Sequence, residues 1–126
     1  MSGVQESARI LVIEDNKVVR DFMRMILEGE GHDVELAADG ESGLASCLAQ
    51  PPDLVFCDLM LPGVDGLEVI RRAKETEEMK QIPFILVSTK QDRQTIREGM
   101  QTGARDFLSK PFTRQDIVAA VRLQLA

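Results

Sequence analysis

Five short apolar runs, each ending in polar residues and followed by a stretch of helical periodicity, constrain this chain more than any other feature. Residues 9 to 13 form a β-branched run without alternation, the pattern of a strand buried on both faces. Residues 17 to 28 place Val19, Phe22 or Met23, Ile26 and Leu27 at helical spacing, and Gly29 and Gly31 supply the stop. The unit then recurs. Strands are expected over 33–38, 54–57, 82–87 and 105–108, with helices over 41–50, 64–76, 92–102 and 113–125. Leu44, Cys47 and Leu48 share one face of the second helix, and Leu67, Val69, Ile70 and Ala73 point inward from the third. The second strand alternates apolar and polar residues and so belongs near a sheet edge. The fourth helix is weak, with only Ile96 and Met100 apolar, and Thr113 with Asp116 opens the fifth as an approximate capping box.

Strict alternation at this length implies an α/β fold, a mostly parallel sheet with right-handed crossovers and helices on both faces. The expected architecture is a five-stranded parallel sheet in a (βα)5 three-layer sandwich. In such folds ligands bind off the carboxyl ends of the strands, where strand order reverses. Those ends are Glu14-Asp15, Ala38-Asp39, Asp58, Ser88-Thr89 and Ser109-Lys110. In the doubly wound, flavodoxin-like order 2-1-3-4-5 the first and third strands lie about 4.8 Å apart, which would bring Glu14, Asp15 and Asp58 together. Three carboxylates this close repel unless a cation neutralises them, and Mg²⁺ suits a site of few oxygen ligands with room for phosphate. Ser88 and Lys110, opposite the acids, suit phosphoryl oxygens. The constellation is that of a phosphoryl acceptor site, since a carboxylate is a competent nucleophile toward phosphorus.

Composition narrows the alternatives. The length of 126 residues suits one domain, with residues 1–8 as a flexible lead-in and 9–126 as the folded unit. Residues 1 to 89 carry 8 Lys or Arg against 17 Asp or Glu, and residues 90 to 126 carry 7 against 4. So acidic a chain argues against a broad phosphate-tracking surface, and no direct nucleic-acid partner is expected. No apolar stretch nears the roughly 20 residues that span a bilayer, so no membrane partner is expected and the cytoplasm is the default location. Cys47 and Cys57 read as plain thiols and His32 as a surface or turn residue.

The residues together resemble the receiver domains of two-component response regulators. The resemblance runs from Ile10-Leu11-Val12-Ile13-Glu14-Asp15, through Asp58 with Met60, Pro62, Gly63, Asp65 and Gly66, to Ser88 and Lys110-Pro111-Phe112. It implies that Asp58 is the phosphoacceptor, that Glu14, Asp15, Asp58 and the Met60 carbonyl organise Mg²⁺, with Mn²⁺ as a substitute, and that Ser88 and Lys110 bind phosphoryl oxygens. It also implies a cis peptide at Lys110-Pro111, a switch through Ser88 and Phe107, and tuning of dephosphorylation by Met60, Thr89 and Lys90. Phe107 stands where Tyr is frequent, so any switch there works by packing without a hydroxyl. The implied phosphoryl source is a histidine kinase or histidine phosphotransfer protein. The implied output is a downstream protein or a tethered output domain, with a homodimer through helix 4, strand 5 and helix 5 left open.

Two readings compete. A Mg²⁺-dependent aspartyl-phosphate phosphatase needs a second acid two residues after its nucleophile, where this chain has Met60. A degenerate, unphosphorylated interaction domain is disfavoured because all five site residues are present. A flavodoxin would not place Glu14-Asp15-Asn16-Lys17 where the phosphate of its cofactor binds.

Overall fold

A computed structural model describes residues 7–90 and 92–126. The elements run β1 (Arg9–Ile13), α1 (Lys17–Gly29), β2 (Asp33–Ala37), α2 (Gly40–Ala49), β3 (Leu54–Asp58), α3 (Gly66–Lys74), β4 (Phe84–Ser88), α4 (Arg93–Thr102), β5 (Asp106–Ser109) and α5 (Arg114–Leu125). All strand pairs are parallel, as the alternation predicts, and the sheet order is β2-β1-β3-β4-β5, the flavodoxin-like order expected. The edge position of β2 follows from its alternating burial, whereas β3 and β4 are buried at every residue.

Two apolar layers sandwich the sheet, and successive strand residues alternate between them. Leu11, Ile13, Val55, Cys57, Phe84 and Leu86 face Cys47, Val69, Ile70 and Ala73. Ile10, Val12, Leu54, Phe56, Ile85 and Val87 face Met23, Ile26, Leu27, Ile117 and Val121. Each fully buried Ile or Leu here contributes on the order of 1.5–3 kcal/mol. Met23, rather than Phe22, is the inward residue of α1.

Each helix starts on a side-chain cap. Asn16, Asp39, Asp65, Asp92 and Thr113 accept hydrogen bonds from backbone N–H groups three residues ahead, and Thr113 with Asp116 completes a reciprocal capping box. Each of these caps lies in the loop beyond a strand's carboxyl end, so the same residues that begin helices fix the loops around the site.

Several expectations change. Leu48 is 55% exposed, because α2 packs on the sheet through Gly40, Gly43 and Cys47; a Cβ at Gly43 would overlap the side chain of Ile13. His32 is buried, with 6% of its surface exposed, where a surface or turn position was expected. Its Nδ1 accepts a hydrogen bond from the Ala8 backbone N–H at 3.1 Å, a use of a ring nitrogen that sequence spacing does not reveal. Ala8 is itself packed, its carbonyl accepting from Asp33 N–H, so it belongs to the folded unit. Residues 1–6 of the expected lead-in lie outside the described residues. Among those described, no helix is long and apolar enough to cross a membrane.

Candidate phosphoryl-acceptor site

Strand register builds the site. Ile13 pairs with Cys57 across β1 and β3, so the next residues, Glu14 and Asp58, emerge side by side. Asp58 pairs with Val87 on the other flank, and Ser88 pairs with Ser109, which sets Lys110 one residue beyond the end of β5. The Lys110 N–H donates to the Ser88 carbonyl at 2.9 Å, closing that edge.

The resulting cluster is acidic and largely withdrawn from solvent. Glu14, Asp58 and Ser88 are 2%, 5% and 1% exposed, and Asp15 is exposed. Carboxylate oxygens of Glu14, Asp15 and Asp58 all lie within 4.8 Å of one another. Lys110 Nζ donates to Asp58 Oδ2 at 2.7 Å and stands 2.9 Å from Glu14 Oε1. The other Asp58 oxygen accepts from the Met60 N–H at 3.0 Å, and Glu14 Oε2 accepts from the Asn16 N–H at 3.0 Å. Glu14 Oε1 is different: it is buried and takes no well-directed hydrogen bond.

Burial raises the pKa of Glu14, and the Asp58 charge adds to that; the Lys110 ammonium and the Asn16 N–H pull the other way without winning. Burial tends to lower the pKa of Lys110, but the adjoining Asp58 and Glu14 carboxylates outweigh it and the ammonium is held more firmly than usual. Lys110 is the cation that faces both buried acids.

The remaining residues singled out in the sequence stand around this cluster. The Ser88 hydroxyl accepts from the Lys90 N–H at 3.0 Å. Met60, Thr89 and Lys90 are exposed on the rim. Phe107 is partly buried and pairs with Leu86 across the sheet, away from the acids. The Lys110–Pro111 peptide is cis. Two supports escaped the sequence reading. Arg20 Nη1 donates to the carbonyls of Glu14 and Asp15, at 2.8 and 3.3 Å, and so braces the acidic loop. Gly66 lets α3 begin against the Asp58 carbonyl, where a Cβ would overlap that oxygen. The first had no signal beyond an arginine one turn into a helix; the second was quoted only as part of a motif.

The response regulator receiver domain family matches residues 10–122. The chain belongs to that family. Among curated relatives, it is 39% identical to the transcriptional regulatory protein AfsQ1 of Streptomyces coelicolor over 92% of its own length and 50% of that protein's. It is 38% identical to the DNA-binding dual master transcriptional regulator RpaA of Synechocystis, over 93% of its own length and 48% of RpaA. Among solved structures, the chemotaxis response regulator CheY4 of Vibrio cholerae superposes with a TM-score of 0.91 at 26% identity, covering 95% of this chain and all of CheY4. The receiver domain of NtrX from Brucella abortus gives 0.85 at 32% identity, over 92% and 97% of the two chains. This receiver is thus a phosphoryl-accepting signalling module of the two-component type.

The chain spans about half the length of the curated relatives it matches. The expectation that nucleic acid has no place among the partners is corrected here, since relatives such as RpaA and the DNA-binding response regulator MtrA of Mycobacterium tuberculosis are named for that binding. The argument from net charge failed because it weighed the charge of these residues alone, and in such proteins the receiver is only part of the molecule.

Proposed function

We propose that Asp58 accepts a phosphoryl group from a histidine kinase or histidine phosphotransfer protein, and that Ser88 and Phe107 convert its arrival into a change on the α4, β5 and α5 face. The observation that carries the reading is a buried carboxylate held by Lys110 at 2.7 Å, with two further acids gathered within 4.8 Å. Met60 N–H and Lys110 Nζ each engage one Asp58 oxygen, which orients the carboxylate. Lys110 then offsets charge on the incoming phosphoryl group, and Ser88 has a hydroxyl available to follow it.

A divalent cation fits these residues. The donors are all oxygen, as Mg²⁺ requires, and Glu14 Oε1 is a buried anionic oxygen without a well-directed hydrogen bond. Glu14, Asp15, Asp58 and the Met60 carbonyl would hold it, with Mn²⁺ as a substitute. When bound, the ion supplies charge neutralisation for phosphoryl transfer. Met60, Thr89 and Lys90 stand on the rim, where water would reach the phosphoryl group, and set its lifetime. The unit is residues 8–126, located in the cytoplasm, and its chemistry is confined to its own phosphorylation and dephosphorylation.

The test is incubation with Mg²⁺ and acetyl phosphate, followed by intact-mass measurement of the protein and of Asp58→Asn. A base-labile phosphoryl adduct on the first alone is expected. An equal adduct on both, or none on either, overturns the assignment.

A further inference from the structure

An apolar groove of about 380 Å³ opens beside the acidic cluster, and the chemistry described so far makes no use of it. Val18, Val19 and Phe22 of α1 form one wall, and Pro111 and Phe112 form the other. Thr89 and Lys110 close the end nearest the acids, so Lys110 lines the groove while its Nζ holds Asp58 Oδ2. The Phe22 and Phe112 rings are stacked, with centroids 6.2 Å apart and planes 18° apart. Val18 is 78% exposed and Phe22 38%, so this wall is apolar surface facing water.

Phosphoryl transfer to a carboxylate runs in line, with the leaving group departing opposite the attacking oxygen. Asp58 ends a strand buried on both sides, and the rim of its site includes Thr89 and Lys110, the two residues that also close the groove. A leaving group on that side has the groove as its neighbouring surface. Acetate is too small to cover the phenyl rings, whereas a flat aromatic acid matches the stacked pair in shape and polarity.

We propose that this groove selects small phosphoryl donors by their leaving group, favouring acyl phosphates with an aromatic acyl group, such as benzoyl phosphate, over acetyl phosphate. The inference rests on Asp58 being the acceptor. One Asp58 oxygen bonds to phosphorus as the bond from phosphorus to the bridging acyl oxygen breaks. The electron pair leaves with benzoate as its carboxylate, and no proton is exchanged. Lys110 faces the phosphoryl charge while the ring lies on Phe22 and Phe112.

The experiment measures phosphorylation rates by intact mass, with Mg²⁺, for acetyl and benzoyl phosphate on the protein, Phe22→Ser and Val18→Ser. Both positions lie on the outer face of α1, outside the acid cluster. The ratio of benzoyl to acetyl rate should fall about tenfold in Phe22→Ser, the size of one aromatic contact. In Val18→Ser it should fall by a smaller factor. The acetyl phosphate rate stays unchanged in both, which also reports an intact fold. A ratio equal in all three proteins, or an equal fall in both rates, overturns the groove's role and leaves Asp58 as acceptor. No adduct from either donor on the unsubstituted protein overturns the acceptor assignment as well.

Discussion

Replacing Lys110 by Met keeps the apolar stem and removes the ammonium that stands 2.7 Å from Asp58 and 2.9 Å from Glu14. Stripping one partner from a buried ion pair costs about 3–5 kcal/mol when the orphaned charge has no escape. Here it has one, since Glu14 can take up a proton. The ordinary value for a glutamate carboxyl is 4.5, so protonating a freely titrating one costs about 3.4 kcal/mol at pH 7 and about 0.7 kcal/mol at pH 5, at 1.36 kcal/mol per unit. That caps the loss. The expected deficit is therefore about 2–3 kcal/mol at pH 7 and under about 1 kcal/mol at pH 5.

The sign follows from linkage. A raised Lys110 pKa contributes stability that is complete below its unfolded value and is lost only as pH rises through the folded one, so the ammonium is constant between pH 5 and 7. In the variant the Glu14 pKa rises further, and stability falls as pH climbs from the unfolded value toward the folded one. The chain has no Trp or Tyr, so urea unfolding is followed by far-ultraviolet circular dichroism. Added Mg²⁺ should recover part of the deficit at pH 7 by replacing the lost cation. A deficit of equal size at pH 5 and pH 7 would refute the account, because a packing loss alone carries no such slope.

Three further outcomes are expected. Gly66→Ala should lose about 2–3 kcal/mol in the same unfolding assay, since its Cβ meets the Asp58 carbonyl and neighbouring backbone rather than a movable side-chain tip. Burial pushes the Cys47 thiol up to about 11 and the Cys57 thiol well above its ordinary value, so a thiol-disulfide reagent at pH 8 should modify the folded protein about a hundredfold more slowly than the protein in urea. Arg71 and Arg72 hold the half-buried Glu68 carboxyl down to about 2, so any melting-temperature advantage over Glu68→Gln should be present above pH 4.5 and disappear as pH falls toward 2.

The strands were readable because period is carried by local sequence, and the meeting of Glu14 with Asp58 followed once the flavodoxin-like order set β1 beside β3. Apolar runs without alternation marked the central strands, and the alternating 33–38 stretch marked the edge. What escaped were contacts made by groups whose partners lie far along the chain and have no pattern. The His32 ring accepts a hydrogen bond from the Ala8 backbone N–H, 24 residues away, and is buried there. Nothing near His32 announces that use. Leu48 failed for a different reason, because glycines at 40 and 43 drew α2 onto the sheet along a face that apolar spacing does not favour.

The same effect governs α4 and bears on the switch. Its two large apolar residues do little to hold it, Met100 being 42% exposed and Ile96 only partly buried. Its buried contact is Gly99, where a Cβ would come within 2.6 Å of Leu86 Cδ1 and 3.9 Å of the Phe107 ring. Close approach through a glycine gives contact with little apolar area, so α4 is held to the sheet by less burial than α1 or α5. Leu86 lies two residues before Ser88 on β4, and Phe107 pairs with it from β5. In the proposed switch, a displacement of the strand end at Ser88 would pass first to the helix that resists it least, so that α4 would move more than α5 on the α4, β5 and α5 face.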